Sequence, residues 1–147
     1  MTADVNPGAD PLRARVDIGV RYFETDQMGV VHHANYLVWF EVARTDLCAR
    51  SGFPYAEIER LGYRLMNSAL NVRYRRPARY GETVNVVCWI ERLASRAVHF
   101  AYEVRRDDEL LATGGTEHVW IDGASSRPCR MPEELRQPFR TLAGLEP

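Results

Sequence analysis

One stretch of this chain carries a sustained helical period, and most of the chain beyond it alternates with a period of two. From about Asn35 to Ser51, Tyr36, Trp39, Phe40, Ala43 and Leu47 recur three and four residues apart and form one broad apolar stripe. Glu41, Arg44 and Thr45 lie away from that stripe. Asn35 is placed to cap the helix, and Gly52 followed by Pro54 stops it. Such a helix is about 25 Å long, enough to cross a small sheet. Before it, Val16, Ile18, Val20 and Tyr22 alternate with Asp17, Gly19 and Arg21, a strand with one buried face. After it come a short helical segment at Tyr55 to Leu61 and then four alternating runs. These contain Leu70 to Tyr74, Val84 to Ile90, Val98 to Val104 and Leu110 to Ile121. Short turns at Leu93-Ala94-Ser95 and Asp107-Asp108-Glu109 favour antiparallel pairing. The order predicts an α+β fold, in which an antiparallel sheet of about five strands curves around one long helix. Its edges stay open, which favours a homodimer that extends or backs the sheet.

At 147 residues the chain is long enough for one domain with its own core. The expected division is a loose N-terminal tail over 1–14, a single domain over 15–140 and a C-terminal tail over 141–147. Net charge is −1, so nothing electrostatic points to nucleic acid. All 19 basic residues are Arg, which by itself is a matter of composition; phosphate recognition needs a cluster. No apolar run approaches the ~20 residues of a spanning helix and none resembles a signal peptide, so no membrane insertion and a cytoplasmic location are expected. Cys48, Cys88 and Cys129 fall at no metal-binding spacing, and the first two read as buried, inert thiols.

Several catalytic arrangements are missing. There is no G-x-S-x-G elbow and no H-E-x-x-H, and the adjacent His32 and His33 cannot share a helix face as metal ligands. His99 and His118 lie on strands, where a structural or surface role is expected. Gly114-Gly115 inside a strand indicates a bulge or close packing. There remains Asp26, in the loop that runs into the long helix. On spacing alone it reads first as a turn or capping aspartate.

The whole string decides more than the spacing. Tyr22, Asp26, Gly29, Val30, His33, Asn35 and Tyr36, in the pattern Y-x-x-T-D-x-M-G-V-V-H-H-A-N-Y-L-x-W-F-E, resemble the hotdog-fold acyl-CoA thioesterases. The similarity is greatest to the 4-hydroxybenzoyl-CoA and Tol-Pal-associated types, and it extends from about Val16 to Ile121. The resemblance implies a hotdog fold, an acyl-CoA substrate, no cofactor, and a homodimer or homotetramer with active sites at the subunit interface. It implies that Asp26 acts on the thioester carbonyl as nucleophile or general base, and that the backbone N–H of His33 binds the carbonyl oxygen. Gly29, Val30, Asn35 and Tyr36 would line the substrate. A basic rim for the CoA phosphates would come from the Arg75, Arg76 and Arg79 cluster or from Arg92 and Arg96, with Arg76 and Arg96 as the representative choices. The benzoyl-type members carry an aromatic residue where this chain has His33, which leans the expectation toward aliphatic acyl groups. Glu41 is the one candidate for the alternative arrangement with an acid on the helix. The competing functions are a carrier-protein thioesterase, a hydratase or dehydratase, and a non-catalytic acyl-thioester-binding scaffold.

Overall fold

The computed structural model describes residues 10–145. Strand β1 (Ala14–Gly19) leads through a single 3-10 turn at Tyr22–Glu24 and a loop into helix α1 (Asn35–Ala49). Helix α2 (Tyr55–Arg60) follows, then β2 (Tyr63–Tyr74), β3 (Thr83–Leu93), β4 (Ala97–Arg106), β5 (Glu109–Asp122), the two-residue β6 (Arg127–Pro128) and helix α3 (Glu133–Leu142). All pairings are antiparallel. The strand order is β1-β3-β4-β5-β2, with β6 on the end of β5, so β1 and β2 are the two edges. Bulges at Asn67/Ala69, Ile90/Arg92 and Val104/Arg105 add local twist and help the sheet to curl.

The periodic residues do what their spacing predicts. Tyr36, Trp39, Phe40, Ala43 and Leu47 are all buried, as are Val84, Val86, Cys88 and Ile90 on β3 and Val98, Phe100, Tyr102 and Val104 on β4. Helix α1 packs on β1 and β3. Its Phe40 ring stacks on Tyr102 of β4 at 4.2 Å. A Cβ at Gly114 on β5 would stand 2.5 Å from the Phe40 ring and 2.8 Å from the Asn71 carbonyl. Gly114 is therefore the close-packing position that its place in a strand suggested, and helix and sheet could not meet there with any larger residue.

Several boundaries differ from expectation. Asn35 is the first helical residue and not a cap; Ala34 precedes it in helical geometry, without a side-chain cap. Helix α1 ends at Ala49, two residues before Ser51. Strand β1 begins at Ala14, which is fully buried, so the end of the expected N-terminal tail already belongs to the sheet. Residues 1–9 and 146–147 lie outside the described part. The expected C-terminal tail is core through Leu145: Leu142, Ala143 and Leu145 are buried, and the Leu142 carbonyl accepts from the Leu12 N–H at 2.8 Å.

Core-facing β5 also carries polar groups. His118 is 2% exposed, and its Nε2 lies 3.0 Å from Thr116 Oγ1, which in turn lies 2.6 Å from the Tyr102 hydroxyl. Burial, reinforced by the nearby Arg44 charge, pushes the His118 pKa down from 6.5 to about 3. The unfolded chain takes up this proton near pH 6.5 and the folded chain does not. Stability tied to neutral His118 is thus complete above 6.5 and declines by about 1.4 kcal/mol per pH unit as pH falls toward the folded value. Between pH 7 and pH 5 the wild type should lose about 2 kcal/mol that a His118→Gln variant does not, as read from urea unfolding at both pH values. Equal losses in the two proteins would refute this account. Cys48 and Cys88 are buried free thiols; burial pushes Cys48 up to about 11 and Cys88 well above its usual range, so both are inert.

Candidate active site

The loop from Thr25 to Ala34 is pinned by hydrogen bonds within itself, to the segment before β3 and to the end of β2. A positive φ at Gly29 (80°) lets the chain reverse. The Asp26 N–H donates to the Val30 carbonyl at 2.9 Å and the Gly29 N–H to the Asp26 carbonyl at 3.0 Å. The Val31 N–H reaches the Ala78 carbonyl at 2.9 Å, tying the loop to the segment before β3. Beyond it, the Tyr74 hydroxyl at the end of β2 donates to the His33 carbonyl at 2.8 Å.

Beneath the loop lies an anchor that sequence reasoning passed over. Glu24 is 1% exposed. Its carboxylate accepts from the Arg21 N–H at 2.8 Å, the Trp39 indole at 2.9 Å and the Arg21 guanidinium at 3.3 Å. Its carbonyl accepts from the His32 N–H at 2.8 Å and from Asn35 Nδ2 at 2.8 Å. Burial by itself would raise the Glu24 pKa, but the donors from Arg21 and Trp39 outweigh it and hold the carboxyl below its usual value. Asn35, expected against substrate, is thus spent on this anchor. The available signal was Trp39: a buried indole N–H on the apolar stripe needs an acceptor.

Asp26 is half-buried. Its Oδ1 accepts from the Met28 N–H at 2.8 Å, an Asx turn that fixes the carboxylate orientation and leaves Oδ2 for other partners. Asp26, Val30, His33, Tyr36 and Arg76 line one cavity of about 310 Å³, together with Val31, Tyr74, Arg75 and Pro77. The His33 N–H, two residues before α1, donates to no group among the described residues, whereas the Ala34 N–H donates to His32 Nδ1 at 3.2 Å and the Asn35 N–H to the His32 carbonyl at 3.0 Å. The site therefore offers a carboxylate and one free backbone donor at a helix start, where the helix dipole also favours negative charge. The Tyr36 and Tyr74 rings meet edge to face at 5.0 Å, and burial raises both phenols, which stay neutral.

Not every expected residue joins this cavity. The Arg75 and Arg76 backbones anchor to the Leu111 carbonyl, and the Arg76 guanidinium pairs with Glu109 at 3.0 Å. The Arg96 carbonyl accepts from the Trp120 N–H, far along β5 from Leu111. At ~3.4 Å per residue that separation is about 30 Å. Within one chain, Arg96 is therefore at the wrong end of the sheet for the Asp26 cavity. Glu41 is exposed on α1 and does not line this cavity. Among the described residues no cluster of His, Cys, Asp or Glu can hold a metal ion, and no helix is long and apolar enough to cross a membrane.

Comparison with known proteins gives this arrangement its context. A Bacillus subtilis protein named, provisionally, acyl-CoA thioesterase YneP is 40% identical over 78% of this chain and 84% of its own. The crystal structure of a hypothetical protein from Thermus thermophilus superposes with a TM-score of 0.84 at 43% identity, covering 88% of this chain and 98% of the other. That of a DHNA-CoA thioesterase from Staphylococcus aureus superposes with a TM-score of 0.83 at 34% identity, covering 88% and 90%. The family model of the thioesterase-like superfamily matches residues 20–139, which take in the loop, the helix and the whole sheet beyond β1, and this chain is a hotdog-fold member of that superfamily.

Proposed function

We propose that the chain hydrolyses acyl-CoA thioesters to a carboxylic acid and free CoA, with Asp26 as the acting carboxylate and the His33 N–H as oxyanion donor. The observation that carries this reading is that Asp26 and His33 line one cavity, with Asp26 Oδ1 held by an Asx turn and the His33 N–H unpartnered among the described residues. The thioester carbonyl would lie between them. Asp26 Oδ2 either takes a proton from a water whose oxygen adds to the carbonyl carbon, or adds itself to give a mixed anhydride that water then opens. In both routes the C–S bond breaks and the CoA sulfur leaves as the thiol. One backbone donor aimed at the developing oxyanion is worth about 3 kcal/mol in such reactions, and the dipole of α1 adds to it.

For the CoA phosphates, Arg75 is the better ligand. It lines the cavity and makes no ion pair among the described residues, while Arg76 is partly neutralised by Glu109. The protein acts as a homodimer or a higher assembly of dimers. Edge strand β2 leaves Leu70 and Tyr74 about half exposed, and the neighbouring Val38 and Val42 of α1 are exposed to a similar degree, a strip that a second copy would cover. The free buried thiols fit a reducing compartment, the cytoplasm.

The test is free-thiol release from acyl-CoAs running from acetyl to palmitoyl, plus benzoyl, set beside the same acyl groups on a carrier protein. Hydrolysis of the CoA esters, with the aliphatic members favoured over benzoyl, is the expected result. Thiol release from the carrier-protein thioesters alone would replace CoA as the substrate. No release from either would turn the site into one that binds acyl thioesters without cleaving them.

A further inference from the structure

The walls of the Asp26 cavity do not end with it. Past Tyr36 and Tyr74, α1 and β2 continue and enclose a second cavity of about 230 Å³. Leu37, Phe40 and Arg44 of α1, Asn67 and Leu70 of β2 and Thr116 of β5 line it. From Tyr36 to Arg44 is about 12 Å along the helix, at 1.5 Å per residue. The approach is apolar and the far end is not.

Arg44 is half-buried, and its known partners are neutral. Its Nε donates to the Tyr55 hydroxyl at 2.8 Å and its Nη1 to the Tyr102 hydroxyl at 3.1 Å, while Nη2 donates to no group among the described residues. Burial pushes both phenols up, so neither supplies negative charge, and Cys48 and Cys88 remain thiols for the same reason. Burial alone would favour loss of the Arg44 proton, but the two phenols hold its pKa above the ordinary value and the guanidinium stays charged. Among the described residues no carboxylate forms an ion pair with it. Glu41 lines the same cavity but forms no ion pair with Arg44. A half-buried cation without a counter-ion is costly, and a ligand carboxylate would relieve that cost through the free side of the guanidinium fork.

We propose that this second cavity receives the far end of the acyl group and that Arg44 selects acyl chains ending in a carboxylate. The proposal rests on the Asp26 reading for the near end of the same substrate. It makes Arg44 a specificity-determining residue, with the apolar wall from Leu37 to Leu70 holding the methylene chain between the thioester and the acid.

Two measurements test it. The first compares suberoyl-CoA with octanoyl-CoA, which match in length and differ at the terminal carboxylate. The wild type should favour suberoyl-CoA at least tenfold in kcat/KM, and Arg44→Met should bring the ratio close to one through a raised KM for suberoyl-CoA. Arg44→Lys, which keeps the charge but not the fork, should restore part of it. The second is calorimetric binding of free suberate, which needs no turnover: wild type binds it and Arg44→Met does not. A wild type that favours octanoyl-CoA, or a folded Arg44→Met protein that keeps the preference, overturns the proposal while leaving the thioesterase reading intact. If Arg44→Met does not fold, the wild-type ratio and suberate binding decide. If the wild type cleaves neither ester, the thioesterase reading is in question and suberate binding alone decides the subsite, with no binding counting against it.

Discussion

Asp26→Asn is expected to cost about 10²–10⁴-fold in kcat for thiol release, the range that one positioned acid or base contributes. The substitution is nearly isosteric. Its side-chain oxygen can still accept from the Met28 N–H, so the Asx turn and the loop should survive, and thermal unfolding should match that of the wild type. Because the cavity walls are untouched, KM should change little, the pattern for a group that acts in the transition state and not in substrate binding. Single turnover in ¹⁸O-water tests the anhydride route: label in the Asp26 carboxylate requires an anhydride opened by water at the Asp26 carbonyl, whereas label in the released acid alone means that water added to the acyl carbonyl, as in the general-base route or in an anhydride opened there. A folded variant within tenfold of wild-type kcat would remove Asp26 from the chemistry and turn attention to Glu41.

How far the sequence reaches can be traced through individual residues. The α1 stripe and the alternating faces of β3 and β4 were legible because each apolar position meets the core of its own chain, and burial is what a period reports. The same alternation in β2 marks a face but says nothing of what covers it, and in a single chain Leu70 and Tyr74 stay about half exposed. Asp26 stood out as a candidate only through a resemblance over the whole loop, since its spacing alone fits any turn aspartate. The distance of Arg96 from the Asp26 cavity within one chain was not legible, because a hairpin's position is set by sheet order: the β3–β4 turn lies beside Trp120, while Arg75 and Arg76 lie beside Leu111. Asn35 looked like a cap because its type fits one, and its actual partner is a carbonyl in the preceding turn. Glu24 was marked in the sequence only by the acceptor that a buried Trp39 indole needs, not by its own position. Its three donors come from Arg21 and Trp39, and only the folded loop brings them to one carboxylate.

Glu24 is where the loop and the helix are locked together, and it gives the second large effect. Glu24→Gln replaces one acceptor oxygen with an NH₂ that faces donors, either the Arg21 N–H or the Trp39 indole. Leaving such a buried donor without an acceptor, and losing charge assistance in the remaining bonds, should cost about 2–3 kcal/mol of unfolding free energy at pH 7. The Glu24 carbonyl holds the His32 N–H and Asn35 Nδ2, so a shift of this turn moves the peptide that precedes His33. A displacement near 1 Å in the oxyanion donor corresponds to about 10²-fold in rate, so kcat should fall while Asp26 itself is intact. A pH series distinguishes the anchor from a merely bulky position. The folded carboxyl sits below its ordinary 4.5, so on acidification the unfolded chain takes up this proton first. The stability Glu24 contributes is therefore complete above 4.5 and is lost as pH falls through the folded value. The gap between wild type and Glu24→Gln should be constant from pH 7 to 5 and narrow below 4.5. A gap that ignores pH, or a variant as stable and as active as the wild type, would mean that the carboxylate does not hold this loop.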